Sequence, residues 1–144
     1  MEPHKTVMLI DDDNIINILN ERMLQVTKFA DEVKIFTQAN AALELIKKSC
    51  YTEDVTPLPE FIFLDINMPG MDGWEFLDEL LLLPHDALKN CKIIMLTSSI
   101  DLNDIEKSVS YSLVSNFISK PLTADKLKSL AGSERKNFLF EGND

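Results

Sequence analysis

Long apolar runs are missing from this sequence. Its hydrophobic stretches last a few positions, against the roughly 20 residues a bilayer-crossing helix needs, so no transmembrane span is expected. The opening segment MEPHKTVMLIDDD meets acids directly after a short apolar run. It therefore lacks the h-region and cleavage site of a secretory signal, and a cytoplasmic location is expected. Basic charge is scarce as well: Lys and Arg number 14 against 24 Asp and Glu, for a net charge of −10. With no basic stripe to neutralise phosphate backbones, nucleic acid is excluded as a partner. Cys50 and Cys91 have no CxxC spacing, which leaves neither a disulfide framework nor a zinc site, and both read as reduced, inert thiols. His4 and His85 are isolated in polar surroundings and read as surface residues.

What is present is enough apolar material, 45% of 144 residues, for one continuous core and one domain. Residues 5–10 form a short apolar run, and Ile15, Ile18, Leu19, Met23 and Val26 then recur at helical spacing. Strand then helix is the reading. The alternation continues with a strand at 33–36, a short helix around Ala42, Leu45 and Ile46, and a loop TEDVTPLPE that leads into a strand at 61–64. A helix over about 74–83 ends at Pro84, a fourth strand covers 92–96, and Leu102, Ile105, Val109 and Leu113 mark another amphipathic helix. Phe117-Ile118 make a brief fifth strand. Thr123 suits the N-cap of the last helix, with Leu122 and Leu127 placed as a hydrophobic staple. Beyond it the tail GSERKNFLFEGND is mostly polar, although Phe138, Leu139 and Phe140 offer a docking patch.

Five strands alternating with five helices predict an α/β fold: a parallel sheet with right-handed crossovers and helices on both faces. Such sheets bind ligands beyond the carboxyl ends of their strands. At those ends this sequence places Asp11-Asp12-Asp13, Asp65, Thr97-Ser98-Ser99 and Ser119-Lys120. Clustered carboxylates repel one another, and burial adds to the cost, so the arrangement favours a bound cation or a nearby lysine. An oxygen-only donor set selects a hard ion, and magnesium suits one or two carboxylates shared with phosphate oxygens. Asp65 then becomes a candidate to attack phosphorus in line, with Lys120 neutralising charge and Thr97 donating to the new phosphoryl group.

Several of these residues also have plain structural readings. Asp13 suits the N-cap of the following helix, Met68-Pro69-Gly70 and Asp72-Gly73 are turn chemistry, and a Lys before Pro is commonly a solvated surface residue. Trp74 opens a helix near the site, LLLL at 80–83 reads as core, and Met8, Met23, Met68, Met71 and Met95 read as scattered gap-fillers. Complementary phosphate chemistry at four strand ends together argues for a site.

In order and spacing, MLIDDD, FIFLDINMPGMDGWEFL, IIMLTSS and NFISKPLT resemble the receiver domain of two-component response regulators, over about residues 5–131. The resemblance implies a flavodoxin-like, doubly wound five-stranded sheet in the order 2-1-3-4-5 with five helices. It also implies a receiver domain over 1–131 and a tail over 132–144 with no output domain. By the same resemblance Asp65 is the phosphoacceptor and Asp11 and Asp12 are the acidic pair, Asp12 binding Mg2+ (or Mn2+) directly and Asp11 through water. Asn67 lends its backbone carbonyl to the ion, Thr97 and Lys120 supply the hydroxyl and ammonium, and the Lys120-Pro121 bond is expected to be cis. Phe117 stands where the family has a switch aromatic. Asn67 and Ser99 are expected to set the phosphoryl lifetime. The family implies a sensor histidine kinase or histidine phosphotransfer protein as donor, and a downstream protein that reads the face made by the fourth helix, fifth strand and last helix. It implies a monomer or a phosphorylation-dependent dimer, and a signalling phosphoacceptor, not an enzyme with an external substrate. One departure is that the family's Gly-Ala pair before strand five is replaced by Leu113-Val114-Ser115-Asn116, read here as the end of a helix.

Three rivals are weighed. An aspartyl-phosphate phosphohydrolase needs an acid two residues after its nucleophile, where this chain has Asn67. A flavin domain needs a phosphate-cradling loop after strand one, where this chain has three acids. A scaffold that has lost phosphotransfer has no need of the complete set of acids, hydroxyl and lysine.

Overall fold

Every residue of β3 (Phe61–Asp65) is buried. A strand hidden on both faces belongs inside a parallel sheet that helices cover from each side. The computed structural model describes residues 4–51 and 58–131. In chain order its elements are β1 (His4–Ile10), α1 (Asn14–Val26), β2 (Ala30–Phe36), α2 (Ala39–Tyr51), β3, α3 (Gly73–Leu80), α4 (His85–Leu88), β4 (Lys92–Thr97), α5 (Leu102–Val109), β5 (Val114–Ser119) and α6 (Ala124–Ala131). The strands pair in parallel in the order β2-β1-β3-β4-β5, the flavodoxin-like topology expected.

Strand alternation sorts the core into two layers. Met8, Ile10, Ile62, Leu64, Met95 and Phe117 pack on one side against α2, α3 and α5, meeting Ile46, Leu77 and Ile105. Val7, Leu9, Phe63, Leu96 and Ile118 pack on the other, against Leu24 of α1 and Leu127 and Leu130 of α6. There Phe61 lies 5.0 Å from Phe29 and 6.2 Å from Phe63, ring centre to ring centre. Burying each such side chain contributes about 1.5–3 kcal/mol, so the two layers hold the sheet rigid behind the strand ends.

Local signals fix the helix starts. Asp13 caps α1 by accepting from the amides of Ile15 and Ile16. Asp72 and Glu75 form a reciprocal capping box on α3. Thr123 Oγ1 accepts from the Lys126 amide, and Leu122 and Leu127 share one core layer as a staple does.

The structure corrects several expectations. Helix α1 exists, yet Ile15, Ile18, Leu19 and Val26 are exposed while Asn17, Asn20 and Leu24 are buried. Among the described residues there are six helices, because α3 stops at Leu80 and Pro84 caps the extra short helix α4 instead of ending a long one. Within LLLL, Leu80 and Leu83 are core but Leu81 and Leu82 are exposed. Helix α5 ends at Val109, and Val114–Asn116, expected in that helix, belong to β5. Strand β2 starts at Ala30 and α2 runs to Tyr51, both longer than expected. Most of the loop before β3 (52–57) and the tail 132–144, with Phe138, Leu139 and Phe140, lie outside the described residues.

Candidate functional site

Register brings the strand ends together. Ile10 pairs with Leu64, so Asp11 and Asp65 are the next residues along neighbouring strands, at the point where the sheet order reverses between β1 and β3. Asp65 pairs with Leu96 and Thr97 with Ser119, which places Thr97 and Lys120 at the same edge.

Lys120 Nζ reaches across this edge to Asp11 Oδ2 at 2.7 Å and Asp65 Oδ1 at 3.0 Å, with its side chain only 10% exposed. Burial alone would lower the lysine's pKa, but its bonds to Asp11 and Asp65 outweigh that and raise it, so the ammonium stays charged. The Asp65 carboxyl is pushed up to about 6, chiefly by burial and further by Asp11, against the lowering pull of Lys120. Asp11 is tied at both oxygens, since Oδ1 also accepts from the Asp13 amide at 2.9 Å. Asp12 is exposed. One carboxylate oxygen from each of Asp11, Asp12 and Asp65 lies within 4.8 Å of the others. Opposite ligands of an octahedral Mg2+ stand about 4.2 Å apart and adjacent ones about 3 Å, so these oxygens are close enough to gather round one hard cation once they draw inward.

The flanking residues have defined poses. The Asn67 amide donates to Asp65 Oδ1 at 3.3 Å while its side chain is exposed. Thr97 Oγ1 donates to the Ser99 carbonyl at 2.6 Å and accepts from the Ser99 amide at 3.2 Å, and Ser99 itself is exposed. The Lys120-Pro121 bond is cis, as expected. Phe117 is wholly buried beneath the edge. Trp74 stacks on Tyr111, whose hydroxyl donates to Asp78 Oδ1 at 2.7 Å, and Lys107 Nζ stands 4.9 Å over the Trp74 ring.

Sequence reading missed three side chains that brace the pocket. Asn17 Nδ2 donates to the Asp11 carbonyl at 2.8 Å, Asn20 Oδ1 accepts from the Leu122 amide at 2.9 Å, and Lys126 Nζ donates to the carbonyls of Ser119 (2.9 Å) and Pro121 (3.1 Å). The one signal for Asn17 and Asn20 was polar residues at helical spacing from Leu24, on the face that the core demands; Lys126, on α6, gave none.

A doubly wound parallel sheet whose switch point gathers three acids, a hydroxyl and a lysine defines a flavodoxin-like α/β domain with an acidic pocket at its strand ends. The chain belongs to the response regulator receiver domain family, whose model matches residues 7–131. The response regulator Rcp1 of Synechocystis sp. is 29% identical over 103 residues, covering 72% of this chain and 68% of that protein. A two-component response regulator from Cytophaga hutchinsonii superimposes with a TM-score of 0.81 at 33% identity, over 90% of this chain and 96% of the other. The Mn(2+)-bound form of Rcp1 superimposes with a TM-score of 0.69 at 25% identity, over 89% and 90% of the two chains. Among the described residues, no helix is long and apolar enough to cross a membrane.

Proposed function

We propose that this chain is a phosphoacceptor of a two-component phosphorelay, with Asp65 as the acceptor and a sensor histidine kinase or histidine phosphotransfer protein as the donor. The observation that carries the reading is the Lys120 ammonium held between Asp11 and Asp65. It leaves Asp65 both nucleophilic and charge-compensated. An Asp65 oxygen attacks phosphorus in line, the P–N bond of phosphohistidine breaks, and the departing imidazole keeps the electron pair and takes up a proton. The product is an acyl phosphate on Asp65, which water later hydrolyses; the chain catalyses only these steps on itself.

Asp12, Asp65 and the Asn67 carbonyl would hold Mg2+, with Mn2+ as a substitute, and Asp11 would act through water because both of its oxygens are already engaged. When bound, the ion neutralises the acids and the phosphate oxygens. That the similar response regulator Rcp1 has a Mn(2+)-bound form supports a divalent ion as the ligand. The exposed Ile15, Ile18, Leu19 and Val26 of α1 form an apolar surface beginning close to the acids, suited to an apolar donor helix.

Thr97 exchanges its bond to Ser99 for one to the phosphoryl group, and the equilibrium of Phe117 and the α5-β5-α6 face shifts toward the form a downstream protein reads. That face serves a protein partner or a phosphorylation-dependent dimer of an otherwise monomeric receiver, in the cytoplasm. Exposed Asn67 and Ser99 flank the path of attacking water and set the phosphoryl lifetime. The test is transfer from phosphorylated histidine donors, followed with and without EDTA and for replacements of Asn67 and Ser99. Magnesium-dependent transfer with altered decay in the variants supports the reading; no transfer from any donor, or decay unchanged by both replacements, contradicts it.

A further inference from the structure

Helix α1 spends its buried face on two amides. Asn17 and Asn20 are 2% and 1% exposed, while Ile15 and Ile18 face outward. A buried amide without partners costs roughly 1–3 kcal/mol, so its position is explained by what it bonds. Asn17 bonds the main chain of Asp11, and Asn20 bonds the amide of Leu122, two residues past Lys120. Residues three apart share one helix face, so a single turn of α1 grips both the segment carrying Asp11 and the segment carrying Lys120.

The lysine segment is held throughout. The Lys120 amide donates to the Thr97 carbonyl at 2.7 Å, and Lys126 holds the carbonyls on either side of Lys120. Asn20 adds the tie toward β1, the direction in which Lys120 Nζ must reach Asp11 and Asp65. We propose that Asn20 is a positioning residue for phosphoryl transfer: acting through the Leu122 amide, it sets where the Lys120 ammonium stands relative to Asp65. The inference rests on Asp65 being the phosphoacceptor.

Lys120 meets negative charge that develops as phosphorus is transferred, so a displaced ammonium lowers the maximal rate and leaves donor binding alone. Asn20→Leu keeps the volume and removes the acceptor; Asn20→Asp keeps an oxygen that accepts from the Leu122 amide. The experiment is labelling of the full chain by phosphoramidate in Mg2+, over a range of donor concentrations. Asn20→Leu is expected to lower the maximal rate about tenfold, in keeping with the steep cost of misplaced catalytic groups, at an unchanged half-saturating phosphoramidate concentration. Asn20→Asp is expected to stay within about threefold of the parent, because the same bond remains. If Asn20→Leu folds too poorly to assay, Asn20→Ala carries the same expectation. Equal slowing in the Asp and Leu variants, or a parent rate in Asn20→Leu, would overturn the proposal. A parent protein that takes no label at all contradicts the phosphoacceptor reading instead. In that case the Lys120 Nζ resonance decides the placement: a shift in Asn20→Leu that Asn20→Asp restores supports the tie, and an unmoved resonance refutes it.

Discussion

The main-chain oxygen of Asp65 lies 2.8 Å from where a β-carbon on Gly73 would stand, with the Ile66 α-carbon at 3.0 Å. The start of α3 thus rests directly on the backbone of Asp65. Both neighbours are backbone atoms, so Gly73→Ala has to push α3 or the end of β3 aside. We expect a loss of about 1–3 kcal/mol in urea unfolding, typical of overpacking, together with slower labelling of Asp65. Gly70 is different: its φ is +80 with open space around it, so Gly70→Ala should cost about 1–2 kcal/mol of left-handed strain and leave the pocket intact.

The raised pKa of Asp65 predicts a pH signature. Burial, and then Asp11, lift the folded value to about 6 from the usual 3.8, so between those pH values the native state binds more protons than the unfolded one. The group's stabilising contribution is therefore full below 3.8 and is lost as pH rises through about 6. At neutral pH its ionised form is a net cost. Without Mg2+, Asp65→Asn should melt higher than the parent at pH 7, and the gap should close as the pH is lowered toward 4. Apparent Mg2+ affinity, read from the fluorescence of nearby Trp74, should fall roughly tenfold per pH unit below that pKa, because one proton competes with the ion.

Much of this site was legible because strand ends are marked by abrupt changes from apolar to charged residues. Leu64 to Asp65 and Ile10 to Asp11 are such changes, and the parallel register makes them neighbours. Helix faces were less legible. The spacing of Ile15, Ile18 and Leu19 announces a helix correctly, but periodicity is silent on which face turns inward once Asn17 and Asn20 are needed against backbone groups. The start of β5 was hidden for a related reason. Leu113 continues the helical step from Val109, and only pairing of Val114 with Ile93 across the sheet reveals the strand. Pro84 was read as a stop, although its lack of an N–H suits a helix start equally well.

Helix α5 buries only Ile105 and Ser108, so its seating depends on the contacts of Tyr111 and Lys107 with Trp74. Tyr111→Phe removes the bond to Asp78 and should cost about 0.5–1.5 kcal/mol, seen as faster amide hydrogen exchange in α5. Burial, and then the bond to Asp78, push the phenol up to about 12. Its ionisation should therefore lie above the ordinary tyrosine value of 10.0 in an alkaline absorbance titration, and should move down when Asp78 is replaced by Ala.

The thiols should separate in reactivity. Burial, aided by nearby Cys50, pushes Cys91 up to about 12, whereas Cys50 is half-buried and raised by burial alone. Thiolate is the reactive form. In a native aromatic-disulfide titration Cys50 should react first, and Cys91 only at the rate of unfolding.

The most direct measurement is intact mass of the folded chain after incubation with phosphoramidate, with Mg2+ or with EDTA, for the parent and for Asp65→Asn. The account predicts a gain of one phosphoryl group in the parent with Mg2+ alone, lost in Asp65→Asn and mapped to the peptide that contains Asp65. Equal labelling of the parent and Asp65→Asn, or labelling that ignores EDTA, would contradict it.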